Sequence, residues 1–217
     1  MAERQLVYND EFPKYHKIHS LFKRDMKTHR LINGDYSRPE FENIMVWDVY
    51  EKIDGTNIRI GYFPEQQKVK IGGRTENADI PAHLLGILLE KFPLTKFQEI
   101  FKDTPVILWG EGYGPKIQKA GASYSDSPGF ALFDVSINRK FLSRDNLAGI
   151  ASQFDVHAVP FVGKMQCIDV IEYIANKPES IFSKHSQTTE GVVCTPVYEM
   201  YDRRGERIIF KLKCIDY

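Results

Sequence analysis

Hydrophobic positions along the chain fall into short alternating or continuous runs more often than into helical stripes. Ile44 to Tyr50, Ile58 to Phe63 and Val69 to Ile71 read as strands. Asp54-Gly55 and Pro64-Glu65-Gln66-Gln67 separate them, and that turn chemistry predicts an antiparallel meander with Lys52 at its first connection. A second β block is predicted over Val106 to Gly114 and Phe130 to Val135. A short strand follows over Val159 to Val162, and a last block over Thr189 to Cys194 and Ile208 to Lys213. Helical spacing appears between these blocks. Leu84, Leu85, Leu88, Leu89 and Phe92 form one apolar stripe, with Asp79 as its cap and Pro81 in its first turn. Leu147, Ile150, Ala151 and Phe154 follow a Ser143 cap, and Ile168 to Ala175 gives a further helix. At the start the pattern is weak. Phe12, Tyr15, Ile18, Leu21 and Phe22 would share one side of a short helix among Lys14, Lys17, Lys23, Arg24 and Lys27, so residues 1–43 read as a basic N-terminal arm.

Meanders joined by single helices, rather than regular βαβ units, predict an α+β fold with mostly antiparallel sheets flanked by helices. No repeat, low-complexity tract or linker divides the 217 residues, so one domain over 1–217 is expected, and 42% hydrophobic content is enough for its core.

Charge narrows the choice of partner. Lys plus Arg and Asp plus Glu number 29 each, so a polyanion must be met by a local basic cleft rather than by overall charge. The three cysteines, Cys167, Cys194 and Cys214, show no C-x-x-C spacing. That argues against a disulfide framework and for a reducing compartment, hence a cytoplasmic protein. No apolar run approaches the length of a membrane span. His16 and His19 lack a companion ligand set, so packing or surface roles are expected rather than zinc. Gly110, Gly112 and Gly114 lack the strand-to-helix context of a dinucleotide fingerprint.

The chemistry is concentrated in a few charged positions inside β-like runs. Lys52 sits between β-forming residues, two places before Asp54. On turn chemistry alone it is a solvated strand-end lysine, and as a nucleophile it would have to lose its proton through desolvation or neighbouring cations. Glu111 stands between glycines in a buried-looking strand, where a charge needs a partner. Lys211 and Lys213 are two residues apart and share one strand face, so they repel unless an anion lies between them. Arg74 follows paired glycines that would let the backbone approach a ligand. The loop 115–127, with Lys116, Gln118, Lys119 and Tyr124, has the composition of a mobile substrate-contacting loop.

The ordered set Lys52-x-Asp54-Gly55, Arg74, Glu111, Phe133-Asp134, Glu190-Gly191 and Lys211-x-Lys213 resembles the covalent nucleotidyltransferases, the polynucleotide ligases and capping enzymes. The wording Glu51-Lys52-Ile53-Asp54-Gly55-Thr56-Asn57, with Asn57 in place of the arginine usual in DNA ligases and capping enzymes, looks most like RNA ligases of the RNA ligase 2-like family. That resemblance implies the nucleotidyltransferase fold, an ATP-grasp-like adenylation domain of the DNA and RNA ligase type. It implies ATP as AMP donor, magnesium or manganese, a lysyl-AMP at Lys52, an adenylylated RNA 5′ end, and joining to a 3′-hydroxyl. It places Lys52, Lys211 and Lys213 in catalysis, with Lys211 at the α-phosphate. It places Glu51, Ile53, Asn57, Arg74, Glu111, Phe133 and Glu190 with them around the nucleotide, and Glu190 with Asp54 at the metal. Arg74 would hold a phosphate, Glu111 the ribose hydroxyls, and Phe133, or else Phe130, would stack on adenine.

The implied partner is an RNA end in nicked or duplex RNA, sealed by a monomer in the cytoplasm, a phage-infected host's included. The sequence ends four residues after Lys213. No C-terminal OB or helical domain is therefore expected, and the basic arm, the 115–127 loop or an accessory protein would grip the RNA. A DNA ligase, a capping-type enzyme, an adenylyltransferase that stops after activating an end, and a non-catalytic nucleic-acid binder are the alternatives.

Overall fold

The computed structural model describes residues 12–138 and 140–217; the first eleven residues of the expected basic arm lie outside it. In chain order the elements are β1 (His19–Ser20), β2 (Phe22–Arg24), β3 (Leu31–Tyr36), α1 (Pro39–Asn43), β4 (Trp47–Lys52), β5 (Thr56–Phe63), β6 (Lys68–Gly72), α2 (Ala82–Lys91) and α3 (Leu94–Phe101). There follow β7 (Val106–Tyr113), α4 (Gly121–Tyr124), β8 (Gly129–Ile137), β9 (Lys140–Phe141), α5 (Leu147–Gln153), β10 (His157–Ala158), β11 (Phe161–Met165), α6 (Cys167–Ala175), β12 (Gly191–Pro196) and β13 (Phe210–Lys213).

Two larger sheets carry the molecule. One runs β1-β13-β12-β4-β11; the other runs β10-β8-β7-β5-β6, with β9 on β8. Their pairings are antiparallel apart from the short β1–β13 and β10–β8 contacts, as the α+β pattern predicts. Each sheet has its own core. Ile58, Ile60, Leu108, Leu132 and Val135 of the second sheet pack on Leu84, Leu88, Phe97 and Phe154. Trp47, Val49, Val192, Phe210 and Leu212 of the first pack on Phe41, Val170 and Ile174.

Of the predicted meander only the second half forms, where β5 and β6 pair antiparallel. β4 lies in one sheet and β5 in the other, so Asp54-Gly55 is a crossing between sheets and not a hairpin turn. The strand patterns of β4 and β5 are equally apolar, and only long-range pairing assigns them to different sheets. At the crossing a Cβ on Gly55 would run into the Gly112 carbonyl and the Glu111 side chain, so the crossing chain approaches β7 as only glycine permits.

The N-terminal region also differs. The expected helix over Phe12 to Phe22 is extended chain leading into β1 and β2, because β1 finds a partner in β13. Leu21, Phe22 and Phe41 are buried in the first sheet's core. Asp79 does not cap α2. The helix begins after Pro81 without a side-chain cap, and of its predicted stripe Leu84, Leu88 and Phe92 are buried while Leu89 is exposed. Ser143 caps the 3-10 turn Arg144–Asn146 that leads into α5, accepting from the Asp145 N–H, and α5 itself has no side-chain cap. The glycines before Arg74 serve packing, with Gly72 against Phe12 and Gly73 against Ala78. The 115–127 loop buries its Tyr124 beside Tyr113 and Phe182. The cysteines are free, and no helix among the described residues is long and apolar enough to cross a membrane.

A buried charge cluster stitches the sheets together. β8 carries a bulge opposite Trp109 and Gly110, so Trp109 pairs with Asp134 and Gly110 with Leu132. The extra residue, Phe133, shifts the alternation and turns Asp134 away from the apolar face that Leu132 and Val135 occupy. Asp134 is fully buried and accepts from Arg207 at 2.6 and 3.2 Å, from Arg144 at 3.0 and 3.2 Å, and from the Tyr15 hydroxyl. Burial alone would raise its pKa, but the two guanidiniums hold it well below the usual carboxylate range. Its stabilisation is therefore in full force at neutral pH. It starts to fall once the pH drops below the ordinary value of about 3.9 and is gone only below its own lower pKa. Asp134→Asn should cost about 3–5 kcal/mol at pH 7, since it leaves Arg207 and Arg144 buried without their counter-ion. Urea unfolding that shows less than about 1 kcal/mol would contradict this role for the cluster.

Candidate functional site

The first sheet builds one wall by strand register. Lys52 of β4 lies opposite Gly191 of β12, which lies opposite Lys213 of β13. Two residues away Tyr50, Val193 and Lys211 form a parallel row, and since side chains alternate, both rows share a face. Between them Glu51, Val192 and Leu212 face the opposite way. Gly191 is required where it stands, because a Cβ there would meet the Leu212 carbonyl.

The second sheet supplies the facing wall. Asn57 pairs with Glu111 across β5 and β7, and Phe133 projects from the bulge on β8. Between the walls lies a cavity of about 400 Å³. It is lined by every residue expected at the site: Glu51, Lys52, Ile53, Asp54, Asn57, Arg74, Glu111, Phe133, Glu190, Lys211 and Lys213.

Within that set the roles divide. Glu190 joins two of the lysines, with one oxygen 2.6 Å from Lys52 Nζ and the other 2.6 Å from Lys213 Nζ. The nearest charge to Lys52 is thus an anion, and the Lys211/Lys213 repulsion is relieved on the Lys213 side by protein. Lys211 has no ion pair among the described residues. Burial, with Lys52, Lys213 and Arg74 nearby, lowers its pKa. Glu51 uses its carboxylate elsewhere. It accepts from Ser180, from the Ile181 and Phe182 N–H groups at 2.8 and 3.0 Å and from Thr189 at 3.3 Å. The Glu51 side chain therefore holds the 180–182 turn. Phe130 is a core residue packed edge-on against Phe92, whereas Phe133 borders the cavity.

The carboxylates are in an unusual state. Burial pushes Glu111 up to about 7; Lys52 opposes this, while Glu190 and Asp54 add to it, and the Gly55 N–H donates to it. Asp54 is raised as well, by burial and then by Glu190, while its own N–H donates to the Tyr124 hydroxyl at 3.0 Å. Among the described residues no three His, Cys, Asp or Glu side chains enclose a metal ion. Carboxylates that raise one another's pKa suit a cation held by one or two of them, with phosphate oxygens and water completing its shell, as magnesium prefers. The donor set fits such an ion.

Several lining residues were not singled out in the sequence. Val193 was findable from strand parity, as it stands two places after Gly191 on the same face. Tyr15, His16 and Ile18 reach the cavity from the N-terminal segment, and Arg144, stacked 4.5 Å from the Tyr50 ring, from the turn before α5. Their sequence neighbourhoods carry no signal, because tertiary packing alone brings them there. Asn57 Oδ1 and His16 Nε2 are buried without a hydrogen-bond partner among the described residues.

The architecture is similar to solved structures. A Naegleria gruberi RNA ligase with PPi superimposes with a TM-score of 0.65 at 18% identity, covering 95% of this chain and 57% of that one. A lysine-to-alanine mutant of the same ligase with ATP and Mn gives 0.65 at 17% identity, with the same shares covered. This chain thus spans 57% of the length of the ligases it superimposes on. The likeness shows a shared nucleotidyltransferase fold. A comparison with curated proteins finds no match. The RNA ligase family model matches residues 45–213, from the start of β4 to the end of β13, and the chain belongs to the RNA ligase family.

Proposed function

We propose that the protein is an ATP-dependent RNA ligase acting through a covalent lysyl-AMP, with residues 1–217 as its adenylation domain. The observation that supports this best is the convergence of Lys52, Glu190, Lys211 and Lys213 on one wall with Arg74, Glu111 and Phe133 on the other. Family membership supports the same reading, as do the ATP and Mn, and AMP and Mn, bound to the Naegleria ligase structures.

In this reading Lys52 Nζ attacks the α-phosphorus of ATP, an N–P bond forms, the bond to the bridging oxygen breaks, and pyrophosphate leaves. Lys211, without an ion pair among the described residues, stabilises the charge that builds on the α-phosphate. Lys52 must exchange its contact with Glu190 for the phosphorus and release a proton. Arg74 offers a planar fork to a phosphate. Phe133 and Val193, from opposite walls, hold the adenine between an aromatic and an aliphatic surface, and Ile53 and the Glu51 backbone close the base pocket. Glu111 accepts from the ribose hydroxyls, and the Asn57 oxygen, unpaired among the described residues, accepts from a hydroxyl of the incoming 3′ end. A divalent ion held by Glu190 and Asp54 would supply Lewis-acid charge to the phosphates. An RNA 5′-phosphate then takes the AMP from Lys52, and a 3′-hydroxyl displaces AMP to form the phosphodiester. Nicked or duplex RNA, a monomeric state and an accessory protein for additional grip belong to this proposal. The free cysteines support a reducing, cytoplasmic setting.

Incubation with α-labelled ATP and magnesium should label the protein covalently. Lys52→Ala should carry no label, and a labelled Lys52→Ala protein would remove it as the nucleophile. GTP in place of ATP should give no adduct, and an RNA nick should be sealed in preference to a DNA nick.

Glu111 gives an independent test. Its folded pKa of about 7 lies above the ordinary glutamate value of about 4.3, so ionising it as the pH rises through that interval costs folding stability. Glu111→Gln should gain stability relative to wild type between pH 5 and pH 8 in thermal melts. A glutamate carboxyl titrating near pH 7 in the NMR spectrum of the ATP-free protein should be missing from the variant. A stability gap independent of pH would show that Glu111 ionises normally.

A further inference from the structure

His16 borders the nucleotide cavity and also a second cavity of about 300 Å³, which Lys17, His19, Tyr201, Glu206 and Arg207 line with it. The last three belong to the hairpin that links β12 to β13. Its strands meet through the Ile208 N–H on the Met200 carbonyl, 2.9 Å, and the Asp202 N–H on the Glu206 carbonyl, 2.8 Å. The turn is tied by Asp202 Oδ1, which accepts from the Arg204 and Glu206 N–H groups at 2.8 Å each. Two buried arginines anchor it from below. Arg38 reaches Asp202 at 2.8 Å, and Arg207 spans Asp134 at 2.6 Å and Glu199 at 2.8 Å.

A hairpin held this firmly presents unusual side chains outward. Tyr198 is 82% exposed, Tyr201 45%, Met200 44% and the Arg204 side chain 73%. Lys17, at the cavity, and Arg203, at the tip, have no ion pair among the described residues, while Glu206 is partly neutralised by Arg204 at 3.3 Å and Arg38 at 3.8 Å. Exposed aromatic rings on an element that also carries an unpaired cation make a poor docking face for an apolar partner. The combination suits a nucleic-acid strand, whose unstacked bases each offer a π face and whose phosphates follow cations.

We propose that this hairpin and the Lys17–His19 segment form a landing track for a single-stranded stretch of RNA next to the duplex at the joining site, with bases stacked on Tyr198 and Tyr201 and phosphates against Lys17. The strand passes from the nucleotide cavity across His16 into the second cavity and out along the hairpin. The choice of RNA rests on the ligase reading above; the track itself rests on exposure, charge and the shared His16 wall. A chain with zero net charge needs such a local surface to hold a polyanion.

The test is fluorescence anisotropy of a labelled, 5′-phosphorylated single-stranded RNA with the full chain over a series of salt concentrations, with labelling by ATP measured in parallel. Tyr198→Ala should weaken binding about tenfold and leave the salt slope unchanged. Tyr198→Phe, which keeps the ring, should bind as wild type does. Lys17→Ala should reduce the slope of log K against log salt by about 0.7. If wild type fails to bind the RNA, or if Tyr198→Ala and Lys17→Ala both bind it unchanged, the track is refuted and the face is left for a protein partner. If that happens while ATP still labels Lys52, the ligase reading stands without the track. Absence of labelling in wild type, with RNA affinity still lost in Tyr198→Ala, would sink the ligase reading and keep the track.

Discussion

The structure depends on one close approach, where the chain leaves the first sheet after Lys52 and enters the second at Thr56. The crossing chain comes so near β7 at Gly55 that no side chain fits, and the Gly55 N–H meets the Glu111 carboxylate. Two consequences follow from this constraint. Lys52 is held at the end of a central strand rather than on a free turn, so its ammonium has little conformational freedom to lose on reaching a bound phosphate. Glu111 is pressed into a site that burial makes hostile to its charge, which gives it a reason to take hydroxyl donors from a ligand.

The two sheets are joined directly elsewhere, where Asp134 of β8 accepts from Arg207 of the segment leading into β13. The bulge at Phe133 does both jobs at once: it aims an aromatic ring at the cavity and rotates the next residue out of an apolar core towards two arginines. Arg207 arrives from the hairpin before β13, and Tyr15 from the N-terminal segment. Base pocket, sheet tie and outer hairpin are therefore mechanically one unit, because a shift of Asp134 would move all three.

How much of this was legible in the sequence varies with the physical origin of each feature. The strands were, because alternation of apolar residues has a local cause. The allocation of strands to sheets was not: nothing in the pattern of β4 or β5 distinguishes a hairpin from a crossing, and Asp54-Gly55 has the composition of a turn in either case. The charged site residues stood out because each carboxylate or lysine inside a β-like run is costly unless it has a partner, and those partners are one another. Val193 was hidden only by being apolar in an apolar strand. Tyr15 and Arg144 were hidden for a stronger reason, since their environment is made by elements more than one hundred and about ten residues away respectively, with no periodicity to announce it.

The charge arrangement of the ligand-free site explains why its substrate should be an anion accompanied by a cation. Glu190 alone neutralises both Lys52 and Lys213, so it is shared, and Asp54 and Glu111 crowd near it with raised pKa values. Lys211 and Arg74, by contrast, have no ion pair among the described residues, and Arg74 helps to lower the pKa of Lys211. An anion alone would settle the second group and leave the carboxylates crowded; a cation alone would do the reverse. A triphosphate carrying a divalent ion would satisfy both at once. In the proposed reaction Glu190 would turn to that ion and release Lys52, so the ion pair between them is compatible with a nucleophilic lysine.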